Sequence, residues 1–136
     1  FETMHHEFAH ILHQKKNYPT EYNQISAADY SSTGWQNRTE QQAWKLGFVT
    51  PYAGMEPQED FVEVIANYLV KPDGFWENML ANAGTEGATK IQTKFDMVKE
   101  WLMTAWNIDI DELRTIIIRR SGDIDSILNE KIAYNE

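Results

Sequence analysis

Apolar residues in the first fifteen positions recur at helical spacing. Plotted at about 100° per residue, Phe1, Met4, Phe8, Ile11 and Leu12 fall in a sector about 100° wide. The pattern predicts an amphipathic helix over 1–15 with that stripe turned to the core. From 17 to about 57 no period persists. Tyr, Ser, Thr, Asn, Gln and Gly dominate, with Pro19 and Pro51 as breaks, and only 40–46 suggests a short helix. An irregular stretch of that length is uncommon in a compact domain and usually carries function. Helical patterning then returns: 58–70 stops near Pro72, 74–82 ends at Gly84, and 85–106 carries the stripe Ile91, Phe95, Val98, Leu102 and Ala105. Asp109 with Glu112 three residues on resembles a capping box for a helix over 110–120, and Asp123 or Asp125 is expected to begin a last one. The chain reads as mainly α, a single domain over 1–136, without repeat or linker.

Composition narrows the function classes. With 21 acidic against 12 basic residues and a net charge of −9, the surface repels phosphate backbones, so no nucleic-acid partner is expected. No stretch approaches the roughly 18 apolar residues of a membrane span. The absence of cysteine excludes thiol catalysis, thiolate ligands and disulfides. A chain of this length can bury a sizeable core unaided, so any metal it binds is expected to be functional and not a folding staple. It opens at Phe1 without an initiator Met and reaches its chemistry by residue 6, which suggests the later part of a longer precursor.

That chemistry is a cluster of histidines. All four, His5, His6, His10 and His13, lie in the first thirteen residues, and His6-Glu7-Phe8-Ala9-His10 is an H-E-x-x-H motif. Residues four apart on a helix sit about 6 Å apart at Cβ, so His6 and His10 can meet one zinc ion. Glu7, about 100° round the helix, stands beside the metal without ligating it, where it can accept a proton from bound water. With His6 at 0°, His10 falls near 40° and His13 near 340°, whereas the aliphatic stripe lies at about 140° to 240°, so these imidazoles are expected to face away from the core.

A catalytic zinc usually takes three protein ligands. His13 lies seven residues after His6, about 10 Å along the axis, too far to share one ion, and is expected to line a cleft or face solvent. The extended H-E-x-x-H-x-x-G-x-x-H motif fails because its last two key positions are His13 and Lys16. The third ligand should therefore come from elsewhere. The helix over 58–70 has one narrow polar sector, holding Glu59, Glu63, Asn67 and Asp60 within about 100°, and is apolar otherwise. Of Glu59 and Glu63, four apart, one can ligate while the other accepts the remaining N–H of a ligating imidazole.

His6-Glu7-Phe8-Ala9-His10 followed by Glu59-Asp60-Phe61-Val62-Glu63 resembles the gluzincins, zinc peptidases whose third ligand is a glutamate on a later helix. The phrases 6–14, 48–54 and 59–68 are similar to the zinc-binding metallopeptidase lipoproteins that accompany glycan-import systems in Bacteroidetes, the substrate import-associated zinc metallohydrolases. The resemblance implies the helical C-terminal part of a zincin-like metallopeptidase, its sheet belonging to an upstream segment absent from this chain. It further implies Zn2+ held by His6, His10 and Glu59, Glu7 as general base, and Glu63 as partner of a ligating imidazole. Asp60 is the alternative carboxylate. Tyr52 lies seven residues before Glu59, as a tyrosine does in gluzincins of the lethal-factor type, which implies a hydrogen-bond donor to the developing oxyanion. The implied activity is hydrolysis of peptide bonds in a peptide or protein substrate. The implied location is the cell envelope, as an outer-membrane lipoprotein or periplasmic protein, with a lipid anchor on the preceding segment and an outer-membrane import complex as partner. Two alternatives are a non-catalytic accessory protein of a surface glycan-import system with a relic zinc site, and a hydrolase of a non-peptide amide. Trp35 and Trp44, in the irregular stretch near the expected cleft, are candidate substrate platforms.

Overall fold

Six α-helices make up the computed structural model, which describes the backbone of residues 2–135 and the side chains of 2–123. They are α1 (Glu2–Lys15), α2 (Glu40–Lys45), α3 (Pro57–Val70), α4 (Phe75–Asn82), α5 (Gly84–Trp106) and α6 (Ile110–Asn135). Among the described residues there is no β-strand, and no helix is long and apolar enough to cross a membrane. The irregular stretch between α1 and α3 is organised by three 3-10 turns, Thr20–Gln24, Gly34–Asn37 and Tyr52–Gly54, with α2 between the second and third.

The core is built round α3. Its Phe61, Val62, Val64, Ile65, Ala66 and Leu69 are buried, and so are its polar Asp60, Glu63 and Asn67. Pro57 starts the helix at a position where a missing N–H costs nothing. Ile91, Phe95, Val98 and Leu102 of α5 supply the facing layer, as their spacing predicts. Gly84, at φ 75°, makes the reversal between α4 and α5 in a conformation that favours glycine. Thr39 caps α2 in a reciprocal box with Gln42. Asp109 caps α6 by accepting from the N–H groups of Asp111 and Glu112.

Two expectations change. The final segment is one helix, with no break near Asp123 or Asp125. Gly122 meets nothing within 4 Å and interrupts no packing, so it is carried inside the helix at a cost of about 1 kcal/mol. The second change is larger: α1 turns its apolar stripe outward. Met4, Phe8 and Ile11 are 58%, 49% and 50% exposed, whereas Ala9, Leu12 and His13 are buried. Phe1 lies outside the described residues. The buried arc runs from Leu12 at about 240° through Ala9 at 300° to His13, His6 and His10. The helix docks on its histidine face.

Candidate metal centre

That orientation follows from what α1 meets. It lies antiparallel on α3, as the pairs Glu2 with Lys71, His6 with Glu63 and His10 with Glu59 show. Imidazoles on one helix face carboxylates on the other, so a polar face is buried with its partners supplied.

Three groups converge. His6 Nε2 stands 3.1 Å from His10 Nε2 and 3.0 Å from Glu59 Oε2, and His10 Nε2 is 3.2 Å from the same carboxylate. One ligand atom from each of His6, His10 and Glu59 fits within 4.8 Å of the others. Donor atoms about 2.0–2.1 Å from one zinc sit roughly 3.3 Å apart, so the spacing suits the ion. For His6 the other ring nitrogen explains why its lone pair points inward. His6 Nδ1 lies 2.9 Å from Glu63 Oε2, an acceptor only, so this nitrogen carries the proton and Nε2 is left free. Glu63 is itself held, its Oε1 accepting from the Thr50 hydroxyl at 2.8 Å. Two imidazole nitrogens and a carboxylate brought to one point form a donor set able to hold a cation.

Glu7 stands beside the set. Its Oε1 is 4.0 Å from His6 Nε2 and its side chain is 69% exposed, so it is free to move a proton. Tyr52 packs its ring 5.9 Å from that of His6. Its phenol is raised above the ordinary tyrosine range, first by burial and then by the charge of Glu59 and the hydrogen bond to it, which keeps it protonated as a donor. Trp35 stands edge-on to Tyr52 at 5.1 Å. A shallow cavity of about 300 Å³ opens here, lined by Glu2, Thr3, His6, Glu7, Tyr52 and Glu63.

Other candidates are placed elsewhere. Trp44 is in the core, its indole N–H donating to the Val49 carbonyl, and is no platform. Asp60 faces away from the donor set and is fully buried. It pairs with Lys94 at 2.8 Å and accepts from the hydroxyls of Tyr22 at 3.2 Å and Tyr30 at 2.6 Å. Lys94, also fully buried, donates in addition to the Gly47 carbonyl and Ser26 Oγ. Burial pushes the Asp60 carboxyl up and the Lys94 ammonium down, each countered by the partner's charge. This network was missed, though a signal existed: Lys94 falls on the apolar stripe of α5, three residues after Ile91, where a lysine needs a buried acid. His13 is neither a surface nor a cleft residue. It is 6% exposed and bonded to His10, a contact their three-residue spacing permits.

Fold and site together define the class: a mainly helical domain whose H-E-x-x-H helix and a crossing helix bring two histidines and a glutamate into a set able to hold a metal ion. Over residues 1–111 the chain matches, and belongs to, the family described as "Putative zinc-binding metallo-peptidase". It is similar to the crystal structure of a "putative zinc-binding metallo-peptidase" from Bacteroides caccae ATCC 43185, with 52% identity and a TM-score of 0.89 over 93% of this chain and 48% of that one. The chain thus spans about half the length of that solved relative. No curated protein matches it.

Proposed function

We propose that the protein hydrolyses peptide bonds as a zinc-dependent peptidase of the gluzincin type, with His6, His10 and Glu59 holding the ion. The observation that supports this most is the convergence of those three side chains at 3.0–3.2 Å with the Glu7 carboxylate next to them but outside the set. When bound, zinc supplies an acidified water and a Lewis acid for the scissile carbonyl. The chain supplies the rest. Glu7, largely exposed to solvent, takes the proton of the attacking water on its carboxylate and returns it to the leaving amine. Tyr52, kept protonated, donates its O–H to the oxygen on which negative charge develops. Glu63, braced by Thr50, holds the His6 ring so that Nε2 faces the ion. The cavity lined by His6, Glu7 and Tyr52 is where a scissile carbonyl would sit, and Trp35 packs against Tyr52 beside it.

The test compares wild type with Glu7→Gln on a fluorogenic peptide library while metal is counted by mass spectrometry. Both proteins should hold about one zinc per chain, and the variant should lose about 10²–10⁴-fold in turnover. A Glu7→Gln protein cleaving at a near-normal rate would sink the proposal, as would a wild type that takes up no zinc.

A further inference from the structure

We infer that His13 is a positioning residue of this centre: its imidazole accepts the Nδ1–H of His10 and thereby decides which nitrogen His10 offers to the cation. The inference rests on the reading above only in taking His6, His10 and Glu59 as a metal-binding set.

A site open to a cation leaves one proton arrangement. His10 Nδ1 lies 2.9 Å from His13 Nε2, and its other nitrogen, on the opposite edge of the ring, faces His6 and Glu59. A bond between two ring nitrogens needs one N–H and one lone pair. For His10 to present a lone pair at Nε2 its proton must sit on Nδ1, which makes His10 the donor and His13 Nε2 the acceptor. His13 then carries its own proton on Nδ1. The reverse arrangement would place the His10 proton on Nε2, against the donor set, and would close the site to a cation.

His13 is built to hold that role. It is 6% exposed and lies edge-on to Tyr18 and Phe61, with ring centroids at 5.7 and 6.3 Å, so neighbours on two sides fix its plane. Phe61 belongs to α3, two residues after Glu59, and the same helix therefore sets both the carboxylate and the ring behind His10. The choice of a histidine also fits the charge. Glu59 and Glu63, the carboxylates bonded to the two ligating rings, already match a divalent cation. A third carboxylate at position 13 would leave a buried negative excess, whereas a neutral ring orients His10 without adding one. The two ligating histidines are thus oriented by different acceptors, His6 by a carboxylate and His10 by an imidazole.

The experiment uses zinc and cobalt as probes on wild type, His13→Leu and His13→Gln. Glutamine keeps an acceptor oxygen on a side chain of similar reach, and leucine has none. Zinc affinity, read by competition with a chromophoric chelator, should fall about 10–100-fold in His13→Leu and by no more than about threefold in His13→Gln. The visible spectrum of the cobalt-loaded protein should move in the leucine variant and hold in the glutamine one. A merely structural histidine would lower the melting temperature of both metal-free variants and leave affinity and spectrum unchanged. Leucine binding zinc within about twofold of wild type, or glutamine failing as badly as leucine, overturns the inference. Should His13→Leu fail to fold, nitrogen-proton NMR of zinc-loaded wild type decides: the His10 Nδ1–H should exchange slowly and correlate with His13 Nε2, and a freely exchanging proton there overturns the assignment. A wild type that binds no zinc defeats the metallopeptidase reading and this inference together. Zinc binding that depends on His13 in a protein cleaving no peptide would leave this inference standing and remove only the other.

Discussion

Lys94→Met is the sharpest perturbation of this fold. Methionine fills the space of the lysine stem but removes an ammonium that is 0% exposed and spends all three protons, at 2.8 Å on Asp60, 2.6 Å on the Gly47 carbonyl and 2.9 Å on Ser26 Oγ. What is left is a buried carboxylate, still accepting from Tyr22 and Tyr30, and a carbonyl without that donor. Breaking a buried pair from one side typically costs about 3–5 kcal/mol. The two phenols on Asp60 favour the lower end, and the orphaned carbonyl adds about 1–3 kcal/mol that overlaps with it. A loss of about 4 kcal/mol is expected, a large part of the roughly 5–15 kcal/mol that holds a domain together. Urea unfolding followed by tryptophan fluorescence, with chelator present so that metal binding does not contribute, measures it.

The same variant has a signed pH dependence. Burial alone raises the Asp60 carboxyl above its ordinary 3.8, and loss of the ammonium removes the main opposing effect. A carboxyl with a raised folded pKa binds its proton more tightly when folded. The stability it contributes is fully present below the unfolded value and is lost as pH rises from there through the folded one. The deficit of Lys94→Met against wild type should therefore be smallest near pH 4 and grow towards neutrality. Pairing the change with Asp60→Asn, which keeps an acceptor for the phenols and removes the stranded charge, should recover about half of the loss. A deficit under about 1 kcal/mol, or one that stays flat between about pH 4 and pH 8, would refute the reasoning.

Three further outcomes follow from the packing and the site. Tyr52→Phe should keep its zinc and its KM but lose about 10²–10³-fold in kcat, and an unchanged kcat would remove Tyr52 from the oxyanion role. Gly87→Ala should lower the melting temperature despite alanine's better helix propensity, because a Cβ there would stand 2.4 Å from the Trp44 carbonyl oxygen and 2.9 Å from that of Lys45. Backbone must move, at about 1–3 kcal/mol against about 1 kcal/mol gained. On α1, Leu12→Ala should cost about 2–5 kcal/mol and Phe8→Gln less than about 0.5, the reverse of what residue size suggests; equal losses would show the Phe8 face to be covered.

The helices were readable because each carries a sustained period or a stop signal, and the irregular stretch because it carries neither. The face of α1 was not. Periodicity identifies a stripe, but which stripe is buried depends on the partner, and α3 meets α1 with Glu59 and Glu63, which pair with imidazoles and not with an apolar stripe. Burial of His6, His10 and His13 is tolerated because His6 Nδ1 meets Glu63, His10 Nδ1 meets His13 Nε2, and the Nε2 atoms of His6 and His10 face Glu59. Similarly, a helical wheel places Glu59 and Asp60 in one polar sector and cannot choose between them. Their separation is made by Tyr22, Tyr30 and Lys94, which come from sequence positions 38, 30 and 34 residues away from Asp60. Asp123 and Asp125 looked like cap residues because caps are judged from local identity, whereas the continuation of α6 is set by its whole length.

The juxtaposition of Glu59 and Asp60 ties stability to the site. Consecutive residues on a helix diverge by about 100°, so when Asp60 is locked against α5 and the turns after α1, the direction of Glu59 is settled as well. The tolerance is small. A carboxylate about 5 Å from the axis shifts by about 1.3 Å when the helix rolls through 15°, and a metal-binding constellation must hold to within about 0.5 Å. Apolar contacts on α3 constrain such a roll softly, since Val62, Ile65 and Leu69 can slide by fractions of a rotamer. The Asp60–Lys94 pair constrains it sharply, because Asp60 must satisfy two phenols and an ammonium at 2.6–3.2 Å at once. In Lys94→Met with Asp60→Asn, folding should recover further than zinc affinity does, since an amide keeps the phenols but loses the directional ammonium. Equal recovery of both would mean that packing alone sets the roll of α3.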